Sequence, residues 1–215
     1  MSYVENMPSC INIAVTQRCV RLDDRAEQRD CLDTRITLFL EACGLVCIPM
    51  PTLVADPAGW LRAAGIRGLL LSGGNDLKET GEGDVSPERD ALEHALLGLA
   101  QEKNLPVFGV CRGLQIIASH YGARVVPVKG HVGQPHVIQG ASYPKAVVNS
   151  FHNYGVYASD MPERLCSLAQ SEDGIVEALR VSGLAQMAVM WHPEREQGFA
   201  SADIALVKKF FNVQG

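Results

Sequence analysis

The chain has 215 residues, 47% hydrophobic and 20% charged, which is enough apolar material to bury a core without disulfide or metal staples. A net charge of −5 with no basic stripe excludes a nucleic-acid partner, and the lack of an apolar run of about 18 residues excludes a helical membrane span. Seven scattered cysteines without Cys-x-x-Cys spacing fit a reducing cytoplasm better than a secreted framework or a structural zinc site, and the N-terminus lacks the pattern of a secretory signal.

Ile11–Val15 reads as a first buried strand. Arg25–Cys43 follows as a helix, with Leu32, Ile36, Phe39, Leu40 and Cys43 at helical spacing and Gly44 as its stop. Leu45–Ile48 is a second strand, ended by Pro49 and Pro51. A short helix near Pro57–Ala64 leads to a third strand, Gly68–Leu71, closed by the turn residues Ser72-Gly73-Gly74-Asn75. Ser86 is an N-cap with Pro87 at the first helical position, and that helix runs to about Lys103. Pro106–Val110 is a fourth strand and Gly113–Tyr121 the next helix.

From Ala123 to Met190 short β-like runs replace the alternation: Ala123–Val128, Lys145–Val148, Leu165–Ala169, Gly174–Leu179 and Gln186–Met190. The last helix is Ala202–Phe211. Repeated strand–helix units imply an α/β fold, a doubly wound and mainly parallel sheet with helices on both faces. The β-rich C-terminal half adds antiparallel strands. No repeat or low-complexity linker divides the chain, so one domain over 1–215 is expected, with an ordered core from about 10 to 213.

Chemistry concentrates at Gly109-Val110-Cys111-Arg112-Gly113-Leu114-Gln115, between an apolar strand and a helix. Glycines two before and two after a nucleophile form a nucleophile elbow, because strand and helix backbones come too close there for a Cβ. A thiol at a helix N-terminus is favoured as thiolate by unpaired N–H groups. The Arg112 N–H is then an oxyanion donor, and the Gly73-Gly74 turn can supply a second. The alternative for Cys111 is a small, inert core residue.

A cysteine nucleophile needs a base. His192 ends the apolar run Met187–Trp191, with Pro193 next and Glu194 two residues on, where a carboxylate can fix the imidazole tautomer. His94 and His120 fall in helices. His131 and His136 flank Gly133 and Pro135 in a loop; no third ligand is evident in the sequence, so no metal site and no cofactor are expected.

The elbow at 109–115, Ser72-Gly73-Gly74, Asn149-Ser150-Phe151-His152 and Trp191-His192-Pro193-Glu194 together resemble class I glutamine amidotransferase domains of the triad type. The resemblance spans nearly the whole chain and implies a flavodoxin-like fold. Within that superfamily, Val110-Cys111-Arg112-Gly113 and Val148-Asn149-Ser150-Phe151-His152 are similar to free-standing γ-glutamyl hydrolases, including those of γ-glutamyl-γ-aminobutyrate. Val15-Thr16-Gln17-Arg18, Arg29-Asp30 and Ser72–Leu77 are similar to the hydrolases of γ-glutamyl-CDP-amidate. Asn153-Tyr154 departs from the His-Gln usual in the aminobutyrate enzymes.

The resemblance implies a cysteine hydrolase that cleaves a small γ-glutamyl conjugate through a thioester. Its catalytic set would be Cys111, His192 and Glu194, its oxyanion donors Gly74 and Arg112. Gly73, Gln115 and the backbone near Ser150 and Phe151 would hold the glutamyl group, with His152 facing the leaving group or merely packing. Arg18 has two readings, a carboxylate or phosphate ligand and a solvated loop residue. The Arg112 side chain can instead pair with a structural carboxylate. Rival functions are a glutaminase subunit feeding ammonia to a partner synthase, a non-catalytic binding or regulatory member, and a cysteine peptidase. The expected ligand is a small molecule; a homodimer and a partner synthase both stay open, and the acidic loop 79–84 carries no assigned role.

Overall fold

The computed structural model describes residues 11–213 other than Asp23, Glu82 and Ser142. Cys10 and the expected start of the ordered core therefore lie outside the described residues. The first strand, β1 (Ile11–Val15), is the apolar run expected there, and its last three residues are buried.

The long helix expected over 25–43 is a correction. Its first part belongs to a two-stranded antiparallel ribbon, β2 (Arg18–Leu22) and β3 (Glu27–Cys31), and helix α1 runs only Thr34–Ala42. The Asp33 carboxylate accepts from the Arg35 N–H at 2.9 Å and fixes that start. Glu27-Gln28-Arg29-Asp30 offers no apolar stripe, so these residues gain nothing from packing as a helix.

The next elements fall within two residues of expectation: β4 (Leu45–Pro49), α2 (Pro57–Ala63), β5 (Ile66–Leu71), α3 (Pro87–Lys103), β6 (Val107–Val110) and α4 (Arg112–His120). The Ser86 hydroxyl caps α3 by accepting from the Arg89 N–H at 3.3 Å. Then come β7 (Val126–Pro127), β8 (His136–Gly140), β9 (Tyr143–Val148), β10 (Tyr154–Gly155), β11 (Leu165–Ser171), β12 (Val176–Val181), β13 (Gln186–Val189) and α5 (Ser201–Phe210). The run expected over 123–128 shrinks to β7, which pairs only with β10, outside the main sheet. Strand β8 takes His136 out of the loop expected there and into the sheet.

One nine-stranded sheet has the order β4-β1-β5-β6-β13-β12-β11-β8-β9. The first five strands are parallel, and numbered among themselves they run 2-1-3-4-5, the flavodoxin-like winding. The remaining four extend the sheet antiparallel. The core lies where β5 and β6 meet the helices, with Leu69, Leu70, Leu71, Val107, Phe108 and Leu114 all buried. No helix among the described residues is long and apolar enough to cross a membrane.

Strands β5, β6 and β13 lie side by side, so Leu71, Val110 and Val189 end on one edge of the sheet. Ligands gather at such C-terminal strand ends in wound α/β sheets. The approach of α4 to the sheet is close. A Cβ on Gly113 would stand 2.1 Å from the Leu71 carbonyl oxygen, and one on Gly109 would stand 2.6 Å from the Gly113 backbone. Gly113→Ala should therefore lower the free energy of unfolding by about 3 kcal/mol, as overpacking does when only backbone can yield. Urea denaturation checks it; an unchanged midpoint would contradict the close approach.

Candidate active site

Cys111 occupies the turn between β6 and α4 with φ 53° and ψ −104°. Such backbone costs a residue with a Cβ roughly 1–3 kcal/mol, so the surroundings must hold it. The Cys111 N–H donates to the Val189 carbonyl at 2.8 Å, and the Leu114 N–H donates to the Cys111 carbonyl at 2.9 Å. The residue lines a pocket of about 330 Å³ shared with Gly74, Gln115, Phe151, His152 and His192.

His192 leaves the end of β13 and reaches the same point. A Cβ on Gly73 would lie 2.8 Å from His192 Cε1 and 3.7 Å from Cys111 Cβ, so only glycine leaves room for the ring beside the thiol. His192 Nδ1 meets Glu194 Oε1 at 2.6 Å, and both side chains are buried. Burial alone would lower the His192 pKa; hydrogen bonds to Cys111 and Glu194, and their charge, outweigh it and push it up to about 9. The ring is thus favoured as imidazolium at neutral pH.

Two residues outside the expected set hold this segment. Asn149 Nδ2 donates to the His192 carbonyl at 2.8 Å and to Glu196 Oε1 at 2.6 Å, while its Oδ1 accepts from the His192 N–H at 2.9 Å. Arg35 donates to the carbonyls of Glu194 at 2.7 Å and Glu196 at 2.6 Å. Asn149 stood in the sequence only as part of a resemblance motif, and Arg35 gave no signal, because a helix arginine reads as solvated.

The turn 72–75 is held from behind by Arg89, which is fully buried. Its guanidinium donates to the carbonyls of Ser72 at 2.6 Å, Gly73 at 3.1 Å and Gly74 at 2.5 Å, and its Nε donates to Glu93 at 3.0 Å. In a trans peptide the C=O and the next N–H point in opposite directions. With the Gly73 carbonyl drawn to Arg89, the Gly74 N–H points away from that guanidinium, and Gly74 is one of the residues lining the pocket. Gly74 itself has φ 82°, and the Arg18 chain fills the space a Cβ would need.

Arg112 opens α4, so its N–H has no carbonyl one turn back to pair with. Its side chain pairs with Glu93 and Asp90, which is the structural-carboxylate reading of that side chain. Burial pulls Arg89 down to about 10, with the Arg112 charge adding to it, so the Arg89 guanidinium stays charged at neutral pH. Burial would raise the Glu93 carboxyl, but the charges of Arg112 and Arg89 hold it below its ordinary value.

Gln115 lines the pocket and donates to the Tyr154 carbonyl at 3.0 Å. Phe151 stands edge-on to His192 with ring centroids 5.9 Å apart. The Ser150 hydroxyl donates to the His131 carbonyl at 2.5 Å, so the side chain is held away from the pocket lining while its neighbour Phe151 belongs to that lining. Arg18, half-exposed at the pocket mouth, pairs with Asp84 at 2.5 Å. Arg195, which sequence reasoning missed, also lines the pocket, with its guanidinium 4.9 Å from the centre of the Phe151 ring. His152 sits on the pocket wall, yet its ring also joins His131, His136 and Glu177, whose ligand atoms and its own all lie within 4.8 Å of one another. The His131–His136 pair thus has the third and fourth partners that the sequence did not reveal.

The glutamine amidotransferase class-I family matches residues 43–212. The γ-glutamyl-CDP-amidate hydrolase of Campylobacter jejuni is 30% identical over 202 residues, which cover 94% of this chain and 98% of that one. The γ-glutamyl-γ-aminobutyrate hydrolase of Escherichia coli O157:H7 is 31% identical over 159 residues, 60% of each chain. Among solved structures, a Thermoplasma acidophilum protein provisionally described as a GMP synthase component superimposes with a TM-score of 0.72 at 20% identity, over 96% of this chain and 94% of that one, a likeness of fold.

The His192 environment yields a direct test. Its imidazole should titrate with a midpoint near 9 by NMR, and Glu194→Gln should bring that midpoint down. Because the folded value is raised, the stabilisation is complete below the unfolded histidine pKa and is lost as pH rises through about 9. A midpoint at the ordinary histidine value would contradict the arrangement.

Proposed function

Because this chain belongs to the glutamine amidotransferase class-I family, we propose that it is a cysteine hydrolase that cleaves the γ-glutamyl amide bond of a small γ-glutamyl conjugate. The observation that carries this reading is the meeting of Cys111, the His192–Glu194 pair and the Gly73-Gly74 turn at one pocket. A strained thiol beside a charged imidazole is a nucleophile with its acid already in place.

Cys111, as thiolate, attacks the γ-carbonyl carbon of the bound glutamyl group. The carbonyl oxygen takes the negative charge and is met by the N–H groups of Gly74 and Arg112. The His192 imidazolium gives its proton to the departing nitrogen, the C–N bond breaks, and a glutamyl thioester is left on Cys111. His192, now neutral, takes a proton from water as that water attacks the thioester. Glutamate leaves and the thiolate–imidazolium pair is restored. Glu194 holds the ring in the tautomer this cycle needs. Gln115 and the backbone at 150–151 hold the glutamyl moiety. Arg89 is a positioning residue, fixing the turn that presents the Gly74 N–H.

The favoured conjugate is γ-glutamyl-CDP-amidate. The similarity to the Campylobacter enzyme extends over 98% of that chain. Arg18 and Arg195 both border the pocket, and two guanidiniums suit a diphosphate.

Glutamate release should be fastest with γ-glutamyl-CDP-amidate in a panel that includes γ-glutamyl-γ-aminobutyrate and free glutamine, and Cys111→Ala should abolish it with the fold intact. Free glutamine as the preferred substrate would favour the ammonia-donating reading, and full release by Cys111→Ala would end the hydrolase reading. Arg89→Lys cannot hold three carbonyls at once. It should lower kcat by roughly 100-fold, as loss of one oxyanion donor does, with KM little changed. A kcat within a factor of about two of the parent would remove Arg89 from this role.

A further inference from the structure

Beside the pocket, on the antiparallel side of the sheet, lies a second constellation. Three imidazoles and a carboxylate converge there from four separate places: His131 from the loop after β7, His136 from β8, His152 from the segment after β9, and Glu177 from β12. His131 Nδ1, His136 Nε2 and His152 Nε2 stand 3.8, 3.7 and 3.4 Å from Glu177 Oε1. All three of these ring nitrogens, and both Glu177 oxygens, are buried without a hydrogen-bond partner among the described residues. Orphaned buried polar atoms are costly, and five at one point call for a common partner.

The far nitrogens say what that partner is. His152 Nδ1 lies 2.9 Å from the Tyr154 carbonyl, which can only accept, so Nδ1 carries the hydrogen and Nε2 presents a lone pair. His131 Nε2 lies 2.9 Å from Asp173 Oδ2, so by the same logic its Nδ1 presents a lone pair. Both lone pairs converge on the unpartnered oxygens of Glu177, acceptor facing acceptor, an arrangement that a cation standing between them relieves. Protonated rings do not relieve it, because charge-assisted N–H···O bonds are about 2.7–2.9 Å long and these gaps are not. The edges of a tetrahedron whose ligands lie about 2.0–2.1 Å from its centre are roughly 3.4 Å, close to the gaps seen. Rings anchored through their far nitrogen by a carboxylate or carbonyl are also the usual outer support of metal-bound histidine.

We propose that His131, His136, His152 and Glu177 form a binding site for a divalent cation of the zinc class. Three imidazoles and one carboxylate, all supplied by the protein, make a closed four-ligand site, which suits a structural ion. A surface hollow of about 340 Å³ lined by Gly130, His131, His136 and Asp173 gives the ion a way in. The ion ties β12 to the segment that carries Phe151 and His152, and so fixes one wall of the Cys111 pocket. The backbone carries the same link, since the Met190 N–H donates to the Glu177 carbonyl at 2.7 Å, two residues before His192. The site stands on this geometry whether or not the hydrolase reading holds.

Elemental analysis of the purified protein decides it without any activity measurement. Wild-type protein should carry about one zinc per chain, and Glu177→Gln and His136→Ala should each carry less than about a tenth of that. Should the variants fail to fold, wild-type protein alone decides. Stripped with chelator, it should lose thermal stability, regain it with one equivalent of Zn²⁺ and not with Mg²⁺, and show the visible spectrum of a tetrahedral site with Co²⁺. Stripped protein that takes up no Zn²⁺ by calorimetry at micromolar concentration, with an unmoved melting temperature, would overturn the proposal.

Discussion

The close approach of α4 to β5 and β6 sets the terms for the rest of the molecule. With Gly113 under the Leu71 carbonyl, the chain has no room to leave β6 gradually, and the turn must be made within Val110, Cys111 and Arg112. Cys111 therefore takes a backbone conformation that a side chain disfavours. The same geometry opens the first turn of α4 directly after the thiol-bearing residue. Because β5, β6 and β13 are parallel neighbours, the glycine turn and the imidazole arrive at the same edge.

A second constraint links the two halves of the pocket from behind. Arg89, Glu93 and Arg112 form a buried ion-paired group that Asp90 closes at its partly exposed end. Arg89 grips the carbonyls of the 72–74 turn, Arg112 follows Cys111 in the turn after β6, and Glu93 joins them. Buried ion pairs add little net stability, while breaking one costs about 3–5 kcal/mol. What the network contributes is registry: the 72–74 turn and the turn at Cys111 cannot drift relative to one another.

Much of this was legible in the sequence because it is local. The elbow glycines, the Ser86-Pro87 cap and the apolar strands carry their own chemical reasons over a few residues. His192 and Glu194 were legible for the same cause, being two apart at the end of an apolar run. What the sequence hid was convergence. Nothing local marks Arg89 as buried, since Arg and Glu four apart on a helix normally read as a solvated pair. Glu177 did carry a signal, a lone carboxylate inside Ile175-Val176-Glu177-Ala178-Leu179, but its meaning depended on three histidines brought up by a sheet whose order no short stretch encodes. The second strand of the ribbon, 27–31, falls inside the helix read over 25–43 because the helical spacing that begins at Leu32 extends backward over polar residues with no period of their own.

The central claim is that the thiol of Cys111 becomes covalently attached to the glutamyl group. The most direct measurement is mass spectrometry of protein quenched in acid during steady-state turnover of a γ-glutamyl substrate, followed by peptide mapping. The account requires a mass increment of one glutamyl group on the peptide that contains Cys111, lost when the thioester is treated with hydroxylamine and lengthened in life when His192 is replaced. Substrate turnover with no acyl increment on Cys111 under those conditions, or an increment on another residue, would contradict it.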